Sequence, residues 1–238
     1  MTAAGLYRTV QVCSLGRTEY KECWDLQRHL YGLRLANEIP DTFLLTEHDH
    51  VYTIGKSGDD NHLLATANEL YSKGVPVFHN DRGGDITYHG PGQLVGYPIL
   101  RLEDYYLDLH RYLRDLEEVI IRTLCEFGVH GKRVPEYTGV WVGNEKICAI
   151  GVKASRWVTM HGFALNVSTD LSYFDRIIPC GIFEKGVTSL ETVLDKKVEM
   201  DEVIPPLVHH FADVFGVQTV EEPSEVLLAE VPDHSHNH

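Results

Sequence analysis

Residues 82–99 read RGGDITYHGPGQLVGYPI, a run rich in glycine and in side chains that bind polar groups. Glycine is needed where φ is positive or where a ligand must touch the main chain, and a bare N–H there can donate to an oxyanion or a carbonyl. A tight hairpin between Val77 and Leu94 would also use these glycines. The added Arg82, Tyr88 and His89 favour a binding site carried on that hairpin. The GxxxxGK[ST] and GxGxxG phosphate-binding patterns do not occur.

Strand and helix patterns lie on both sides of this run. Period-two and β-branched patterns predict strands at 7–14, 42–46, 51–54, 75–79 and within 138–167. Helical spacing predicts helices that begin at Thr18, span 107–127 with Gly128 as the stop, and span 201–215. Strands outnumber helices, and no repeat of fixed period is present.

Composition narrows the class of protein. The 238 residues are 43% hydrophobic and 24% charged, which are values of a folded domain with a substantial core. The net charge of −14 excludes nucleic acid and membrane as expected partners, and an acidic partner must meet a local basic patch. No apolar run approaches the roughly 18 residues of a membrane span. The first 15 residues lack the basic segment followed by an apolar segment that is typical of a signal peptide. We expect a cytoplasmic protein.

Two further segments read as buried strands with room for a ligand. They are KICAIGV at 146–152 and HGFALNV at 161–167. A lysine that opens an apolar strand is usually a solvated edge charge, but small residues directly after Lys146 leave space beside it. His161 is more often a hydrogen-bonded structural histidine than a catalyst.

The third segment is IIPCGI at 177–182. Five cysteines without a CxxC pair argue against a disulfide framework, and Cys13, Cys23, Cys125 and Cys148 read as small hydrophobic residues. Cys180 differs because a proline precedes it and because the glycine that follows it leaves its sulfur accessible. A nucleophilic thiol needs such access and a neighbour that lowers its pKa. On these residues alone a buried structural cysteine remains the commoner alternative.

Taken together, RGGDITYHGPGQLVGYPI, KICAIG, HGFALNV, IIPCGI and TSL at 188–190 closely resemble the octanoyltransferases of lipoate biosynthesis. The resemblance implies an α+β fold shared with biotin and lipoate protein ligases: a mixed, mainly antiparallel sheet flanked by helices, with a smaller second sheet. It makes 1–216 one catalytic domain and 217–238 an extension with a His-rich tail. By motif position Cys180 is similar to the family's acyl-thioester nucleophile, and Lys146 to the residue that lowers its pKa. The segments similar to those that line the acyl site are Arg82, Gly83, Gly84, Asp85, Ile86, Thr87, Tyr88 and His89, then Ala149, Ile150 and Gly151, then Gly162, Phe163 and Ala164.

The same resemblance implies the substrates. Octanoyl would arrive on the phosphopantetheine of acyl carrier protein and leave on a lysine of a lipoyl domain, either in the E2 subunits of 2-oxoacid dehydrogenases or in the glycine-cleavage H protein. No cofactor and no metal are implied, and we expect a monomer.

Two other functions remain as alternatives. KICAIG also resembles the lysine strand of ATP-dependent lipoate and biotin ligases, but those enzymes do not require a Pro-Cys-Gly nucleophile. A metal-binding or carrier protein is suggested by the fourteen histidines, among them His209, His210, His234, His236 and His238. That alternative leaves the glycine-rich run and Cys180 unexplained.

Overall fold

The computed structural model describes residues 8–178, 186–224 and 227. The strands are β1 Arg8–Thr18, β2 Asp41–His48, β3 Val51–Ile54, β4 Val77–His79, β5 Ile86–His89, β6 Gln93–Ile99, β7 Lys132–Val134, β8 Tyr137–Val142, β9 Glu145–Ser155, β10 Val158–Asn166 and β11 Val217–Glu221. The α-helices are α1 Tyr20–Ala36, α2 Ala67–Lys73, α3 Leu109–Glu126, α4 Leu190–Leu194 and α5 Met200–Phe215. Among these helices none is long and apolar enough to cross a membrane.

The strands form two sheets of unequal size. Within the described residues the larger has eight strands in the order β11-β1-β2-β6-β10-β9-β8-β7, and the smaller has three in the order β4-β3-β5. β1 runs parallel to β2 and to β11, and the other neighbouring pairs of the larger sheet are antiparallel. The predicted mixed, mainly antiparallel sheet with a smaller partner is therefore confirmed. β11, just after Gly216, adds an edge strand beside β1.

The larger sheet separates two hydrophobic cores. Because successive side chains of a strand point to opposite faces, neighbouring residues enter different cores. Leu45 and Leu165 pack with α3 and α5, whereas Leu44 and Ala164 pack with α1. The larger sheet also contacts the glycine-rich connection of the smaller sheet, residues 82–85, through a hydrogen bond from the Gly83 N–H to the Val152 carbonyl.

The helix predictions are confirmed with small shifts at their ends. α1 begins at Tyr20 because Thr18, its predicted start, is still the last residue of β1. α3 begins at Leu109 because the Asp108 carboxylate accepts a hydrogen bond from the Arg111 N–H at 2.9 Å, which makes Asp108 the N-cap. Gly128, with φ of 72°, follows the helix end as predicted.

The predicted hairpin between Val77 and Leu94 is wrong. β4 and β5 do not pair with each other, because each lies beside β3, β4 in parallel and β5 antiparallel. The chain then leaves the smaller sheet at Gly90, and β6 joins the larger sheet between β2 and β10. A Cβ on Gly90 would lie 1.9 Å from the Tyr88 hydroxyl oxygen, so only glycine permits this crossing. The glycine-rich run connects two sheets.

Candidate active site

A cavity of about 590 Å³ lies between the α1 face of the larger sheet and the glycine-rich connection. Its size suits a small-molecule site. Its walls include most of the residues predicted for the site: Lys146, Arg82, Gly83, Gly84, Asp85, Ile86, Thr87, His89, Ala149, Ile150, Gly151, Gly162, Phe163 and Ala164. Segments that are far apart in the sequence thus meet around one space.

Tyr88 departs from the predicted set. It is fully buried, but it belongs to the core of the smaller sheet and is not among the residues that line the cavity. Its hydroxyl lies 2.6 Å from His50 Nδ1, and its ring stacks on Tyr173 with centroids 4.8 Å apart. The structure therefore gives Tyr88 a packing position behind the site.

The loop 82–85 is held against β9 by backbone contacts that glycine makes possible. The Gly83 N–H donates to the Val152 carbonyl at 2.9 Å. A Cβ on Gly151 would lie only 2.8 Å from the Gly83 carbonyl oxygen, and Gly84 has φ of 91°. The buried Arg82 guanidinium donates to Thr53 O at 2.8 Å, which fixes the loop from the other side. The loop is consequently a rigid wall of the cavity.

Asp81 ties this loop to the larger sheet and was missed in the sequence. Its carboxylate lies 2.8 Å from His161 Nε2 and 2.5 Å from Lys153 Nζ. The hydrogen bond from His161, together with Lys153, holds the pKa of Asp81 well below its ordinary value. Burial lowers the pKa of His161, so its neutral ring donates from Nε2. No sequence pattern links Asp81 to a lysine 72 positions later.

The Asp85 carboxylate forms hydrogen bonds with the next residue, Ile86, and with His62. One oxygen accepts from the Ile86 N–H at 2.7 Å and the other lies 2.5 Å from His62 Nδ1. The His62 carbonyl in turn accepts a hydrogen bond from the Ile178 N–H at 2.8 Å. The Asp85 side chain thus fixes the residues that lead toward Pro179.

Lys146 lies at the start of β9, where the β8–β9 pairing has a bulge. Its backbone N–H donates to the Gly186 carbonyl and its carbonyl accepts from the Thr188 N–H, both at 3.0 Å. Its Nζ lies 4.9 Å from the centroid of the Trp141 ring, a cation–π contact. The side chain therefore lies at the cavity wall, beside the point where the described chain resumes at Gly186.

Cys180, together with Pro179 and Gly181, lies outside the described residues. The described chain on either side of it is anchored at Ile178, through His62, and at Gly186, through Lys146.

The wall between Lys146 and the far end of the cavity is made of small residues. In the β9–β10 register Ala149 faces Ala164 and Gly151 faces Gly162. The far end is formed by the buried rings of Tyr20, His89 and Tyr97, with Val95 beside them. Their polar atoms already have partners: Tyr20 Oη accepts from Asn80 Nδ2, His89 bonds to Gln93, and Tyr97 bonds to His48. Such a slot suits a slender apolar chain.

The buried histidines at this end predict a dependence of stability on pH. Burial lowers the pKa of His48 to about 4 and that of His89 to about 3. The unfolded chain takes up protons at both rings below about pH 6.5, so it binds more protons than the folded protein down to these lowered values. The free energy of unfolding should therefore fall as the pH drops from about 6.5 toward 4, by about 1.4 kcal/mol per pH unit for each ring.

Urea unfolding measured from about pH 7 to about pH 5 checks this, with His48→Gln as the comparison. The variant should lose the share of the slope that His48 contributes, at most about 1.4 kcal/mol per pH unit. An equal slope in both proteins would contradict the assignment to His48.

A cluster of possible metal ligands lies away from the cavity. In the part of the chain that the structure describes, it consists of His209, His210 and Asp213 on α5, with ligand atoms within 4.8 Å of one another. The tail histidines His234, His236 and His238 lie outside the described residues. None of the α5 cluster lines the cavity, so the cluster does not account for the site.

Comparison with known proteins agrees with this architecture. The lipoyl protein ligase A/B catalytic domain matches residues 19–212. An octanoyltransferase of Rubrobacter xylanophilus is 57% identical over 203 residues, which cover 84% of this chain and 91% of that protein. The chain belongs to the octanoyltransferases of this family.

Solved structures extend the likeness of this octanoyltransferase to the ligases. A lipoate-protein ligase A bound with ATP superposes with a TM-score of 0.74 at 18% identity, over 94% of this chain and 92% of that one. A biotin protein ligase from Aquifex aeolicus in complex with biotin and ATP gives 0.52 at 14% identity, over 88% and 70%. At these identities the likeness concerns the fold, and it confirms the predicted biotin and lipoate ligase architecture.

Proposed function

We propose that this octanoyltransferase moves octanoyl from acyl carrier protein to a lysine of lipoyl domains, in E2 subunits and in the glycine-cleavage H protein, through a thioester on Cys180. The observation that carries the proposal is the position of Lys146. It lines the same cavity as the small residues Ala149, Gly151, Gly162 and Ala164, and its backbone bonds to Gly186, six positions after Cys180.

In the first half-reaction the Cys180 thiolate attacks the thioester carbonyl of the donor. The tetrahedral intermediate collapses with loss of the phosphopantetheine thiolate, which takes a proton from the Lys146 ammonium. In the second half-reaction the neutral amine of the acceptor lysine attacks the acyl-enzyme, and Lys146 takes up the amine proton as Cys180 leaves as a thiolate. Both residues return to their starting states, so the cycle is balanced.

The cavity supports an alkyl chain as the cargo. Each methylene moved from water into an apolar slot contributes about 0.8 kcal/mol, so a chain of about six methylenes contributes roughly 5 kcal/mol. The pKa values of His48 and His89 are lowered by burial, so neither ring carries a charge at neutral pH. Burial of the chain can therefore supply both affinity and selection for its length.

The reaction needs no ATP in this proposal, because a thioester is already activated. It needs no metal or cofactor of the enzyme's own either, and we place it in the cytoplasm, with a monomer as the working unit.

An assay with purified protein, octanoyl acyl carrier protein and a lipoyl domain tests the proposal. We expect octanoyl-lysine to form without ATP, and free octanoate with ATP to give none. Product that forms only from octanoate and ATP would instead identify a ligase.

A further inference from the structure

Tyr20 lies between two cavities. It is the first residue of α1 and its side chain is almost completely buried, with 3% exposure. It lines the 590 Å³ cavity and also a second pocket of about 350 Å³ at the surface, whose walls carry Val51, Pro76 and Phe78 together with the polar Glu19, Asp49 and His50. One aromatic ring therefore forms a wall of both spaces.

The contacts of Tyr20 hold the ring in this position. It stacks on His89 of the first cavity, with centroids 5.9 Å apart and planes at 9°, and it packs on Phe78 of the second cavity at 5.5 Å. The edge of His48 contacts it at 5.3 Å. Its hydroxyl oxygen accepts a hydrogen bond from Asn80 Nδ2 at 2.6 Å. Because the ring is packed on several sides, it acts as a fixed partition between the two spaces.

We propose that the Tyr20 ring sets the acyl-chain length that the enzyme accepts, by closing the slot against the second cavity. This inference rests on the proposed transfer of octanoyl. Longer chains are excluded because the ring occupies the path that additional methylenes would follow. Removal of the ring joins the two spaces, so the chain end can contact Val51 and Phe78. This contact extends only as far as these apolar residues, because Glu19 and Asp49 of the second pocket are exposed.

The experiment compares acyl carrier proteins loaded with eight, ten, twelve and fourteen carbons, using kcat/KM for transfer by the wild type, Tyr20→Ala, Tyr20→Leu and Tyr20→Phe. The ratio of the twelve-carbon to the eight-carbon value should rise at least tenfold in Tyr20→Ala, since each newly buried methylene contributes about fourfold. Tyr20→Leu should shift the ratio in the same direction. Tyr20→Phe keeps the ring and should retain the wild-type length optimum.

Two further variants test the second cavity directly. Phe78→Ala alone enlarges that cavity behind an intact partition, so it should retain the optimum. Phe78→Trp in the Tyr20→Ala background refills it and should bring the optimum back toward eight carbons. An unchanged optimum in both Tyr20→Ala and Tyr20→Leu, with the fold intact by circular dichroism, would overturn the proposal.

Binding of free fatty acids of the same lengths, measured by calorimetry, separates this inference from the proposed function. A shift of the binding optimum in Tyr20→Ala without any transfer activity would support the partition and contradict the transferase. If Tyr20→Ala still transfers octanoyl and keeps the wild-type length optimum in both binding and turnover, the transferase is supported and the partition is contradicted.

Discussion

Lys146→Ala is expected to lower octanoyl transfer by about 10²- to 10⁴-fold, because in the proposed mechanism it removes both the cation that pairs with the thiolate and the group that carries the proton in each half-reaction. Lys146→Arg separates these two roles. Arginine keeps a positive charge but does not give up its proton, since its pKa exceeds about 12. The Arg variant should therefore alkylate at Cys180 at neutral pH faster than the Ala variant, yet transfer octanoyl poorly.

The control for this pair is Lys132→Ala, an exposed lysine on β7 that does not line the cavity. It should leave both alkylation and transfer near wild type. Arginine has a larger, planar head that could displace the thiol, so binding of an octanoyl analogue must first be shown to be intact. Near wild-type turnover of Lys146→Arg would contradict the proton-transfer role, and His89 and His161 would then be tested as the acceptor.

Gly151→Ala should lower kcat/KM by about 100-fold, although it adds a single methyl group. The new Cβ would lie 2.8 Å from the Gly83 carbonyl oxygen, so the loop 82–85 must move away from β9. A displacement of about 1 Å in an element that positions the substrate can cost about 10²-fold in rate. The measurements are kcat/KM and urea unfolding of Gly151→Ala. We expect kcat/KM to fall while the urea midpoint stays close to that of the wild type.

Gly32→Ala is the matched control for this substitution. It lies in α1, where no heavy atom comes within 4 Å of an added Cβ. It should leave transfer unchanged and can stabilise the helix by up to about 1 kcal/mol. Full activity of Gly151→Ala would show that the close approach of the loop to β9 is not needed for catalysis.

The sequence predicts the elements of this fold well because the local patterns are strong. The apolar spacing of α3 and the alternation in β1 each point to one type of element, and their ends differ from the prediction by a few residues. Strand pairing is set by tertiary contacts, which local patterns do not contain. The segment from Val77 to Leu94 therefore suggests a hairpin, although β3 takes the place between β4 and β5.

The site is predictable to the extent that its residues lie in recognisable motifs. Arg82, Lys146 and Gly162 come from such motifs and line one cavity. Asp81 and Tyr20 do not, because their contacts join segments that are distant in the sequence. Asp81 pairs with Lys153 across the sheets, and the ring of Tyr20 packs on Phe78 and on His89.

The environments of the other cysteines sharpen the choice of nucleophile. Cys148 is fully buried, and burial raises the pKa of its thiol well above the ordinary value. Burial likewise raises the pKa of Cys23 to about 12. Cys125 is exposed on α3 and does not line the cavity, so it reports unspecific acylation by a reactive thioester. An enzyme-directed reaction should leave these three and the buried Cys13 unmodified.

The most direct measurement is the mass of the enzyme after brief mixing with octanoyl acyl carrier protein and no acceptor, followed by acid quenching and peptide mapping. We expect one octanoyl group, on the peptide that contains Cys180, removable by hydroxylamine and absent from Cys180→Ala. An adduct on Cys148, or no adduct in the wild type at the shortest times while transfer to a lipoyl domain proceeds, would contradict the covalent route.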